Sequence, residues 1–130
     1  MLARRQAVIV VILGGAFWLL AALYIRWFPR ALTDRYWGAI GFVTALPIGW
    51  LSVLVTRRLA GLSRDVLVRG IALASVVAML IDGVALRWMP SIYASDDTVI
   101  RFGSAWLLWG YGLSLGIAVL MTRRLHADSA

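Results

Sequence analysis

The sequence predicts an all-α fold, a bundle of four transmembrane helices in one integral membrane domain covering 1–130. Three observations carry this. The chain is 62% hydrophobic and 15% charged, with a mean hydropathy of +0.87. A soluble domain is closer to half apolar and a quarter charged, and so small a globule cannot hide the excess. The apolar residues fall into four blocks, each near the ~20 residues a helix needs to cross ~30 Å of hydrocarbon. The charges gather at the ends of those blocks, as membrane topology demands.

The expected spans are about 7–28, 36–56, 66–88 and 99–122. The first follows Arg4 and Arg5. Its apolar run outlasts a signal-peptide core and no small-x-small cleavage site follows, so it reads as a span. The second holds Pro47 at mid-span, which removes one backbone hydrogen bond and predicts a kink. The third contains Asp82, the one acid inside a span. The fourth is rich in Trp and Gly between Phe102 and Gly116.

The ends of the spans repeat. Arg26-Trp27-Phe28-Pro29 closes the first and Arg87-Trp88-Met89-Pro90 the third, 61 positions later. Thr56-Arg57-Arg58-Leu59 closes the second and Thr122-Arg123-Arg124-Leu125 the fourth, 66 positions later. The chain reads as two duplicated helical hairpins in parallel repeat, although such flanks are also common on unrelated membrane helices.

All 13 basic residues are Arg and all 6 acids are Asp, giving a net charge of +7 with no Lys, Glu, Asn or Cys. This usage, with abundant Ala and Gly, points to a GC-rich bacterial genome. Without Cys there is no disulfide framework and no thiolate chemistry. Nucleic-acid binding would need a basic face on a soluble fold, and none is indicated. Eight Arg fall on the side of the termini and the Arg57–Arg69 loop, five on the other. The richer side is expected to face the cytoplasm, placing both termini there and the protein in the bacterial inner membrane.

Asp82 leads the candidate site. A charged carboxylate at its depth costs ~2.5–3.5 kcal/mol on insertion scales, so it must be paired, protonated or beside water. Its helical neighbours Ala74, Ala78 and Ala85 are small, which places it on a narrow packing face. Arg26 and Arg101 are the expected partners; Trp106 stands near the level of Asp82, with Ser104 and Arg101 successively further out. Tyr111 needs a hydrogen-bond partner if buried, and Ser75 or Ser114 are available. Trp106 and Trp109 lie three apart, either as the wall of a ligand cavity or as ordinary packing. Gly112 and Gly116 form a small-xxx-small step that permits close helix approach. His126 alone makes no metal site. No nucleophile–base pair, phosphate loop, metal cluster or cofactor motif can be assembled, so an enzyme is not expected.

The second half of the chain resembles a family of small bacterial four-helix membrane proteins catalogued as a domain of unknown function. Asp82, Pro90, Trp106, Trp109 and Tyr111 carry the likeness, with Met89 where the pattern has an aromatic residue. The resemblance implies fold and location and supplies no activity. Two functions stay open. One is a non-enzymatic membrane protein acting through helix–helix association, as an accessory or regulatory subunit or a homo-oligomer. The other is a small oligomeric exporter in which Asp82 responds to protons or cations. A filled interface around Asp82 favours the first and a water-accessible cavity the second.

Overall fold

The computed structural model describes the backbone from Met1 to Ser129 and side chains through Arg124; His126 falls outside the described side chains. Five helices form: α1 (Arg4–Trp27), α2 (Pro29–Thr33), α3 (Arg35–Ala60), α4 (Arg64–Trp88) and α5 (Asp97–Ser129). A 3₁₀ turn, Pro90–Ile92, joins α4 to α5. Four of the helices (α1, α3, α4 and α5) are long and apolar enough to cross a membrane. The chain is an all-α, multi-pass membrane bundle.

Local chemistry sets the helix ends. Phe28 (φ −126°, ψ 52°) and Met89 (φ −135°, ψ 50°) leave α1 and α4 with nearly the same backbone turn. Each is followed by a proline in the first position of the next element, where no N–H is needed. The Arg-Trp-x-Pro repeat is thus a repeated helix exit. After it the hairpins diverge, since α2 is a turn of α-helix and Pro90–Ile92 is 3₁₀.

Asp34 caps α3, accepting from the N–H groups of Tyr36 (2.9 Å) and Trp37 (3.0 Å). Asp96 accepts from the Thr98 N–H at 2.7 Å at the start of α5. At the other end Gly61 takes a left-handed conformation (φ 62°), which glycine adopts without a Cβ penalty, and closes α3. Its carbonyl accepts from Gln6 Nε2 at 2.9 Å, tying the start of α1 to this turn. Pro47 lies inside α3 without ending it.

Two packed cores hold the bundle, one at each end. Near the double-arginine end Val10, Val53, Leu67, Ile71, Ala118 and Met121 pack together. Near the proline end Ala22, Ile25, Leu32, Ala85, Tyr93 and Leu107 do so. The early part of α1 therefore meets the early part of α4, and the two run parallel; α3 and α5 run back together beside them. The hairpins lie side by side in one direction.

α4 is the central helix: 44% of its apolar stretch is buried, against 22% or less for each other span. Its face of Ala74, Ala78 and Ala85 is buried as the pattern predicts. α1 and α4 approach closely at Gly14, where a Cβ would lie 2.7 Å from the Ala74 carbonyl oxygen. The expected approach at Gly112 and Gly116 does not occur within the chain. Both are exposed, and a Cβ on either meets nothing within 4 Å. The 3.6-residue period puts them on the outer face of α5.

Candidate polar site in the bundle

Asp82 is 5% exposed, two turns from the proline end of α4. Two phenols meet it. Tyr93, on the loop after the 3₁₀ turn, donates to one carboxylate oxygen. Tyr111, on α5, donates to the other. Behind Tyr93 stands Trp18 of α1, whose indole N–H donates to the Tyr93 hydroxyl at 2.9 Å. One carboxylate thus joins α1, α4, α5 and the Pro90 loop through three aromatic side chains.

The donor directions follow from the side chains themselves. An indole N–H can only donate. Tyr93 Oη accepts that bond, so its own proton points to Asp82. Hydrogen bonds to an ionised acceptor are shorter and stronger than neutral ones, and two of them offset much of the cost of holding the charge out of water. Tyr93 lies outside the spans, and its phenol titrates well above the ordinary tyrosine range. Burial is the main cause, followed by the hydrogen bond to Asp82.

The arginines expected to pair with Asp82 are occupied elsewhere. Arg26 reaches over the end of the bundle and donates to the carbonyls of Ser91 (3.2 Å) and Ile92 (3.3 Å). It fastens the Tyr93 loop rather than the carboxylate. Arg101 is exposed, with its guanidinium 5.3 Å from the Phe102 ring centre. Both stand nearer the water boundary, where keeping a guanidinium solvated costs least. Among the described residues no cation pairs with Asp82. Ser104 donates to the Ile100 carbonyl at 2.7 Å, within its own helix.

Trp106 and Trp109 diverge to different neighbours. Trp106 stacks on Tyr24 of α1 with ring centres 4.9 Å apart, and its buried N–H has no partner among the described residues. Trp109 lies 5.6 Å from the Phe42 ring on α3 and donates to the Phe42 carbonyl at 2.8 Å. They pack on rings rather than on small residues, and neither lines the bundle's central cavity.

Tyr93 is the functional residue that sequence reasoning missed. It sits 11 positions from Asp82, beyond a proline, so no helical spacing connects them. An aromatic residue near the end of a span names no partner, so the sequence alone does not single it out. Tyr111 was flagged as needing a partner, and the partner is Asp82 rather than a serine. No family model, no curated protein and no solved structure matches the chain.

Proposed function

We propose that this is a non-enzymatic multi-pass protein of the bacterial inner membrane, with both termini in the cytoplasm, that works by helix–helix association. Its associates are a second copy of itself or another membrane protein, for which it serves as an accessory or regulatory subunit. One observation carries the reading. Gly112 and Gly116 lie on the outer face of α5 with open space where a side chain would stand. They interrupt an exposed stripe of Leu108, Trp109, Val119 and Leu120. Between membrane helices there is little hydrophobic driving force, and small residues let backbones come close enough for packing to hold them.

The Asp82 cluster supports the same reading. Its carboxylate is 5% exposed, with both oxygens taken by phenols. It is a tie that keeps α1, α4 and α5 in one arrangement and so keeps the α5 face in shape. The exporter alternative needs this carboxylate open to a substrate.

Proximity measurements test the proposal. Protein labelled with donor and acceptor dyes and reconstituted at low density in vesicles should show energy transfer. Gly112→Leu should abolish it while leaving the helix content and melting temperature unchanged. Where no self-association is seen, cross-linking from position 112 in native membranes should capture a specific membrane protein. Absence of both, or association indifferent to Gly112→Leu and Gly116→Leu, would overturn the reading.

A further inference from the structure

Between the two cores lies a cavity of about 90 Å³. Its walls are mostly apolar, with Phe17 and Ile71 among them, and hydroxyl-bearing side chains from three helices also face it: Ser52 and Thr56 of α3, Ser75 of α4, and Ser114 and Tyr111 of α5. A water needs only ~10–15 Å³ of such space and two to four polar partners. Ser52 and Thr56 each donate to a carbonyl of their own helix at 2.8 Å, which leaves their lone pairs as acceptors. Ser75 is 7% exposed, and among the described residues neither it nor Ser114 has a hydrogen-bond partner. The cavity therefore offers water both donors and acceptors.

We propose that this cavity is hydrated and that the Tyr111 hydroxyl passes protons between its water and Asp82. The carboxylate becomes a proton-binding site addressed from the cavity through Tyr111. The proposal rests on the polar cluster described above and is independent of helix association. In the forward step a hydronium in the cavity gives a proton to Tyr111 Oη as Tyr111 gives its own to the Asp82 oxygen it faces. Two O–H bonds break and two form. The hydronium becomes water, the phenol is regenerated and the carboxylate becomes a carboxylic acid, which then donates back to Tyr111.

Tyr93 borders the open pocket at the proline end but is the poorer relay. Its proton already points at Asp82 and its hydroxyl oxygen accepts from Trp18. The groups facing the carboxylate are thus Tyr93 from the loop, with Trp18 of α1 behind it, and Tyr111 from α5. Arg26 of α1 is turned to the Ser91 and Ile92 carbonyls. α3 contributes only the hydroxyls on the far side of the cavity.

Infrared spectroscopy of the full chain in phosphatidylcholine–phosphatidylglycerol vesicles tests this. Lowering the pH should raise a carboxylic-acid carbonyl band that is missing in Asp82→Asn and shifts in deuterated water. Tyr111→Phe should slow that isotope shift by about tenfold or more, a barrier rise of about 1.4 kcal/mol. Ser75→Val, which removes a hydroxyl from the cavity and leaves Asp82 and both phenols in place, should slow it too. Tyr93→Phe should leave the rate within about twofold, since that side is not the route. The proposal is overturned by exchange as fast in Tyr111→Phe and Ser75→Val as in the parent. It is equally overturned by slowing in Tyr93→Phe to match Tyr111→Phe, or by no Asp82 band at any pH. None of these results depends on energy transfer between copies, so the two readings fail separately.

Discussion

Asp82 shows how much one charge organises when its partners are neutral. Tyr111→Phe should cost about 1–2 kcal/mol of stability, the range for a charge-assisted bond in a membrane setting. Asp82→Asn should cost less. The amide oxygen still accepts from Tyr93, and the amide N–H₂ can donate to Tyr111 once that hydroxyl turns. Asp82→Leu should cost more than either, because it strands two phenol hydroxyls at roughly 1–3 kcal/mol each. The double variant Asp82→Leu/Tyr111→Phe should recover part of the loss, as contacting residues do not add. Thermal unfolding in detergent measures all four, and additive losses would break the link between the two side chains. Tyr93 adds a pH prediction. Its folded-state titration is raised above the ordinary value of 10.0, so the folded chain holds the proton that the unfolded chain gives up. Stability is complete below about pH 10 and falls as pH rises beyond it. Tyr93→Phe should flatten that alkaline decline.

At the scale of elements, α4 is the helix the others are built around. Gly14→Leu on α1 should separate α1 from α4, since even a Cβ there would meet backbone at 2.7 Å. Overpacking of this kind costs ~1–3 kcal/mol and often more against backbone. Gly112→Leu should leave bundle stability unchanged, because nothing within the chain stands near it. A melting-temperature comparison of the pair separates an internal glycine from an external one, and equal losses would place both inside. Asp34→Ala should cost about 1 kcal/mol by freeing the Tyr36 and Trp37 N–H groups at the start of α3.

For the whole molecule, the Arg distribution predicts an orientation in the membrane. Reporter fusions at the N-terminus, the Arg57–Arg69 loop and the C-terminus should all report cytoplasm. An external signal from the middle loop would remove the shared direction of the hairpins, which the parallel packing of α1 on α4 requires. The helix exits at Phe28 and Met89 share nearly the same backbone turn, and α1 packs beside α4 in the same direction. Asp82, Tyr93 and Tyr111 of the polar cluster lie in the second hairpin and Trp18 in the first. The first has Ala21 where the second has Asp82.

The amino-acid sequence by itself determined the four spans, their approximate limits, the buried alanine face of α4 and the place of Asp82 on it. These follow from hydropathy, helical period and the cost of a charge in hydrocarbon, all of which act along the chain. Only the tertiary structure decided what Asp82 touches. Candidates chosen by depth included two arginines, but depth does not fix rotation about a helix axis or the path of a loop. The loop after Pro90 folds back to bring Tyr93 over the carboxylate, and Arg26 is drawn off to hold that loop. Rotation of α5 points Tyr111 inward and Gly112, its neighbour, outward. A pattern can say that two residues differ in face by about 100° per position. Which face meets the bundle is set by the packing of Leu107, Ile117, Ala118 and Met121 into two separate cores.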